Sequence, residues 1–144
     1  MRVLDKHYLS DLEKNAVSNP RKRAHLNLHS DFDEKVQRLF ISLTQGSYVE
    51  PHYHELPHQW EMFVVIEGVV EVVFYTNKGE VIKRLSVGER QSCKAVEIHP
   101  FDIHSVECIS ESALMLEVKE GPFQPESAKV SANFVVNREA RGHA

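Results

Sequence analysis

The chain has 144 residues, 42% of them hydrophobic and 26% charged, which suffices for one hydrophobic core and not for a second. A formal net charge of −4 with histidine neutral lacks the basic footprint that displaces counterions from phosphate, so a nucleic-acid partner is excluded and a small molecule is expected. Cys93 and Cys108 are too few for a disulfide scaffold, the charged N-terminus lacks a signal peptide's apolar core, and the run MFVVI, cut by Glu67 and Gly68, is far short of the ~18 residues of a membrane span, so a soluble cytoplasmic protein is expected.

Leu4, Tyr8, Leu9, Leu12, Ala16 and Val17 recur at helical spacing and Pro20 forbids continuation, which predicts an amphipathic helix over 5–18. From Arg21 onward short alternating or apolar segments are separated by TQGS, EG, TNKGE, SVGE, IHPFD and SES. This predicts strands over 23–28, 35–44, 48–54, 60–67, 69–76, 80–85, 92–98, 103–109 and 112–119, the pattern of a barrel or sandwich. After Lys119, EGPFQPES carries prolines and a glycine, and only NFVVN breaks the irregularity, which predicts a tail that wraps the barrel or frays. The expected division is a helical segment over 1–20, a barrel over 21–120 and a tail over 121–144.

In the first strand Arg23, His25 and Asn27 alternate with Ala24, Leu26 and Leu28. One reading is a solvent-facing edge strand whose charges guard against edge pairing. The other turns Arg23, His25 and Asn27 into the barrel mouth, where the arginine clamps a carboxylate or phosphate and Asn27 bonds a hydroxyl.

His52, His54, His58 and Glu61 crowd into ten positions. Side chains two apart on a strand share a face, so His52 and His54 can share one ion. Glu61, Phe63 and Val65 share the inner face of the next strand, across the ELPHQW loop, and EIHPFDIHSVECI places His104 at the start of another strand after a proline turn. Val106 and Cys108 share the His104 face, and Cys108 reads as a buried, space-filling thiol. Imidazole and carboxylate suit a divalent Fe, Zn, Mn, Ni or Co ion, and the absence of nearby thiolates weighs against a structural zinc cluster. Three histidines and one glutamate on an octahedral ion leave about two positions open for a substrate. The competing reading is a polar hairpin loop with no metal. His58 competes with Glu61 as a ligand, or sits at the rim. Tyr53 and Trp60 flank the loop and offer rings for stacking on a sugar, and Lys119 offers a cation for an anionic substrate.

The spacing Gly46, five residues, His52, one, His54, six, Glu61, six, Gly68 resembles the first cupin motif, and His104 falls where the second motif supplies its histidine. The gap between His54 and Glu61 is longer than usual, and His99 and Phe101 stand where proline and glycine are common. SNPRKRAHLNLHSDFDEKVQRLFISLTQGSYVEPHYH, followed by WEMFVVIEG and LEVKEGPF, is similar to the WbuC-type cupin fold metalloproteins, small bacterial proteins found with genes for lipopolysaccharide O-antigen synthesis. The resemblance implies an all-β, single-domain cupin β-barrel of jelly-roll type, with a short N-terminal helix and an irregular C-terminal tail. It also implies a metal held by His52, His54, Glu61 and His104, a homodimer built through N-terminal strands, and a link to surface polysaccharide precursors, without implying a reaction. The expected function is a metalloprotein acting on a sugar or sugar nucleotide, as an isomerase or epimerase or as an Fe(II) oxygenase. Glu61 or His58 would move the proton and Arg23 would hold an anionic group. The alternatives are a non-catalytic sugar-binding or regulatory module and an ion that merely staples the fold.

Overall fold

The computed structural model describes residues 1–136 and 138. Helix α1 (Lys6–Ser18) precedes β1 (Arg23–Asn27), β2 (Val36–Thr44), β3 (Tyr48–Tyr53), β4 (Glu61–Glu67), β5 (Val69–Tyr75), β6 (Val81–Gly88), β7 (Ala95–Ile98), β8 (Ile103–Cys108) and β9 (Ser112–Glu120). A 3-10 turn at Pro125–Ser127 and a short β10 (Val130–Ser131) follow. The helix and the first nine strands stand where the periodicity predicts them; β10 was not anticipated and gives the expected irregular tail a strand.

The strands form two antiparallel five-stranded sheets, in the orders β1-β2-β9-β4-β7 and β10-β3-β8-β5-β6. Their inner faces interdigitate through Leu43, Phe63, Val72, Ile98, Val106 and Met115 and their neighbours, each largely or wholly removed from water. Burial of such a side chain contributes about 1.5–3 kcal/mol, so alternating apolar positions hold the sheets face to face. This is the cupin architecture. Helix α1 starts at Asp5, whose carboxylate accepts the Tyr8 N–H at 3.0 Å, and it covers the outside of the first sheet by packing Leu12 on Leu28 and Phe40. No helix among the described residues is long and apolar enough to cross a membrane.

Two local features position the site. The β4–β5 turn places Gly68 at φ 71°, where an added Cβ would lie 2.0 Å from the Ser112 carbonyl oxygen, so only glycine lets β9 approach this closely. In β3 the register slips by one residue: Val49 faces Val106, yet His52, not Pro51, faces His104. The bulge turns His52 inward, onto the core side that Val49 occupies three residues earlier.

After β9 the chain folds back over the barrel. Val130 and Ser131 pair with Tyr53 and His52, which adds β10 to the free edge of β3. Residues 137 and 139–144 of the expected tail lie outside the described residues.

Candidate metal centre

His52 and His104 stand opposite each other on β3 and β8, in one sheet, and Glu61 opens β4 in the other. His54 follows the end of β3. Their ligand atoms lie within 4.8 Å of one another in the space between the sheets. Each imidazole is oriented through its Nδ1. That of His52 meets the Glu50 carbonyl oxygen at 2.8 Å, that of His104 the Asp102 carbonyl at 2.9 Å, and that of His54 the Ala128 carbonyl at 2.6 Å. A carbonyl oxygen can only accept, so every Nδ1 carries a proton and donates it, leaving each Nε2 for the centre. The Nε2 atoms of His54 and His104 lie 3.2 and 3.1 Å from Glu61 Oε1. Backbone carbonyls that fix three imidazoles, two of them with Nε2 on one carboxylate, form a donor set that fits a divalent metal ion.

The electrostatics are those of an enclosed charge in need of a counter-charge. Burial alone would push the Glu61 carboxyl up, but hydrogen bonds from His104 and His54, and their charge, hold it well below its ordinary range. Burial lowers the His52 imidazole to about 4, with the neighbouring His104 charge acting the same way, so His52 is neutral at pH 7 and its Nε2 lone pair is available. For His54 burial pulls downward, yet the bond to Glu61 and its charge win and raise it.

Sequence reasoning missed Glu117. It lies on β9 opposite Phe63, and burial together with the Glu61 charge pushes its carboxyl up to about 7. Its signal was present in SALMLEVKE, where Ala113, Met115 and Glu117 alternate onto one face and the third is charged. Lys119, on the same face, meets Glu117 at 3.4 Å and sits 4.5 Å over the Phe123 ring. The Ala128 and Glu50 carbonyls had no side-chain signal at all.

The other expected residues spread out. His58 lies outside the four-residue cluster and its Nε2 reaches the Pro122 carbonyl at 3.3 Å. Trp60 Nε1 donates to Glu120 at 3.2 Å, and Trp60 lines the mouth with His54, His58, Lys119 and Phe123. The tail leaves only about 20 Å³ free there, room for about one water. Tyr53 stacks at 6.0 Å on Phe101, which adopts φ 70° at the position where cupins favour glycine. Its N–H donates to the His54 carbonyl at 2.8 Å, so the left-handed turn brackets the ligand loop. Arg23, His25 and Asn27 pair with Leu43, Ile41 and Leu39 and so stand on the core-facing side of the sheet. Because β1 is the edge, His25 and Asn27 remain exposed. Arg23 turns away from the mouth toward β3, its Nη1 lying 3.5 Å from the Tyr48 carbonyl.

Comparison with known proteins bears on the fold. Residues 4–87 match the family described as Domain of unknown function (DUF6016). No curated protein matches the sequence. Among solved structures the chain is similar to oxalate oxidase in complex with the substrate analogue glycolate, at 18% identity and a TM-score of 0.58, covering 74% of this chain and 55% of that one. It is also similar to the capsular polysaccharide assembling protein CapF from Staphylococcus aureus (17% identity, TM-score 0.66, 81% of this chain and 33% of that one). A cupin superfamily protein from Desulfitobacterium hafniense aligns at 12% identity and a TM-score of 0.53, over 68% of this chain and 76% of that one. The chain thus spans little more than half the length of the oxalate oxidase it matches.

Proposed function

The chain belongs to the family described as Domain of unknown function (DUF6016), and from that premise we propose that it is a cupin-fold metalloprotein acting on a sugar or sugar nucleotide used for surface polysaccharide, O-antigen included. The observation that carries the metal reading is the common orientation of His52, His54 and His104, each with Nδ1 donating to a carbonyl and Nε2 left for one centre beside Glu61. The carbohydrate reading is supported by the WbuC-type sequence resemblance and by the similarity to a capsular polysaccharide assembling protein.

The ion that these four residues would hold supplies Lewis-acid polarisation of a substrate oxygen. The chain's own residues supply the rest. Glu117, pushed up to about 7, is poised to take and return a proton near neutral pH. We assign it that role in preference to His58, which is bonded to the tail, and to Glu61, which faces the ion. Lys119 beside it holds a negative group, and the Trp60 ring offers a stacking face at the mouth. Residues Pro122, Phe123 and Ala128 of the tail narrow this mouth. A proton carrier favours isomerisation or epimerisation over oxygenation. The WbuC-type resemblance, which implies no reaction, leaves a sugar-binding or regulatory module as the second reading, and one experiment separates them. Metal-loaded protein incubated with a panel of sugar nucleotides in deuterated water should transfer deuterium to a substrate carbon, and Glu117→Gln should stop it. Binding without exchange for every sugar nucleotide bound, and without oxygen consumption by the iron-loaded protein, would overturn the enzyme reading in favour of the module.

A further inference from the structure

Away from the mouth, the edges of the two sheets leave a cleft of about 470 Å³ between the turn before β1, strand β3 and the tail. Arg21, Lys22, Arg23, Lys129 and Arg138 line it, against one carboxylate, that of Glu50. Among the described residues no ion pair engages Arg21, Lys22, Arg23 or Lys129, while Arg138 meets Glu107 at 2.9 Å. With Glu50 and Glu107 set against the five cations, three positive charges remain. Five cations drawn from three separate segments repel one another unless an anion stands among them.

The two arginines are held yet incompletely used. Arg138 stacks 3.8 Å over the Tyr48 ring, and its buried Nε has no hydrogen-bond partner among the described residues. Arg23 is half-buried, and among the described residues its side chain makes only long bonds from Nη1, at 3.4 and 3.5 Å, to the carbonyls of Arg21 and Tyr48. Burial and the charge of Arg21 push the Arg23 guanidinium down, which is the signature of a cation without an adequate counter-ion. The turn is fixed: the Arg21 N–H donates to Asn19 Oδ1 at 2.8 Å, the Lys22 N–H to the Asn19 carbonyl at 2.9 Å, and Lys22 takes φ 59°. A non-glycine residue in the left-handed region marks a conformation imposed by its surroundings.

We propose that this cleft is an anion subsite for the diphosphate group of a soluble small molecule, with Arg23 and Arg138 as planar forks and Lys22 and Lys129 as point charges. The excess of three charges matches a diphosphate and exceeds what a single carboxylate would neutralise, and guanidinium forks suit phosphoryl oxygens. The site does not depend on the metal: of the four cluster residues only His52 lines the cleft.

The test is calorimetric titration of inorganic pyrophosphate into the full chain at fixed ionic strength, after a chelator has stripped the protein and been dialysed away, because pyrophosphate would otherwise bind a resident ion. Saturable binding at one per chain is expected. The double variant Arg21→Ser, Lys22→Ser and, from the opposite wall, Lys129→Ser should each weaken it at least tenfold, with melting temperatures near that of the wild type. Sulfate and citrate should bind at least tenfold more weakly than pyrophosphate. No saturable binding, variants that bind like wild type, or citrate binding as tightly as pyrophosphate would overturn the proposal. Metal content measured on the same variants should be unchanged, so the anion subsite and the metal reading stand or fall separately.

Discussion

Replacing His104 and His58 in parallel tests the ligand assignment, because both are histidines of the same neighbourhood and only one faces the centre. His104 is fully buried and its Nε2 lies 3.1 Å from Glu61 Oε1. In metal-free protein His104→Ala removes one of the two imidazoles that bond this buried carboxylate, a loss of about 1–3 kcal/mol. For a chain of this length each kcal/mol shifts Tm by about 2–4 °C, so the variant should melt roughly 2–12 °C lower. An ion present at a hundredfold its Kd stabilises the folded state by about 2.7 kcal/mol, so wild type should gain roughly 5–11 °C on metal addition. His104→Ala should gain almost nothing, and elemental analysis should fall from near one ion per chain to near zero. Among the described residues the His58 ring makes one hydrogen bond, 3.3 Å to the Pro122 carbonyl, at a partly open position. His58→Ala should therefore melt within ~2 °C of wild type and keep the metal response. The reasoning fails if His58→Ala abolishes the metal shift while Glu61→Ala preserves it. It fails equally if wild-type protein neither contains nor takes up a transition metal.

The Ala128 carbonyl makes the tail part of the ligand shell, so a chain ending at Glu120 should bind metal about 10–100-fold more weakly in chelator competition. An unchanged affinity in a truncated chain that still melts cooperatively would remove the tail from the site. The Glu117 carboxyl, about 7 in the folded protein against 4.5 ordinarily, keeps its proton longer folded than unfolded, so its protonated form is fully accommodated below pH 4.5 and stability is lost as pH rises through 7. In metal-free protein Glu117→Gln should match wild type near pH 4 and be more stable above pH 7, by at most about 3 kcal/mol in urea titrations, and a constant difference across that range would refute the shift. Gly68→Ala would drive a methyl group into the Ser112 carbonyl at positive φ, so a loss of about 2 kcal/mol or more is expected in the same assay, and a neutral substitution would show that the β4–β5 turn adapts.

The four clustered donors and the barrel that holds them were legible in the sequence for one physical reason: both are written in local spacing. Alternation with period two marks strands because successive side chains leave a strand on opposite faces, and it put Glu61 with Phe63, and His104 with Val106 and Cys108. The same alternation left Arg23, His25 and Asn27 undecided, because a pattern tells which side chains share a face and not whether the face is covered. Coverage depends on strand order, and β1 proved to be an edge.

Three features depended on contacts between segments far apart in the sequence. Extending β3 without interruption would have put Pro51, not His52, beside His104; the bulge that reverses this arises from pairing with β8. The carbonyl that orients His54 belongs to Ala128, 74 residues away, and a backbone oxygen looks the same at every position of a sequence. Glu117 and the basic cleft are products of convergence: a carboxyl acquires its acidity, and a set of cations its mutual repulsion, only when folding brings separate segments within a few ångströms and removes the water between them. Spacing along the chain determined which side chains were available to an ion, and the packing of one sheet on the other decided which of them meet.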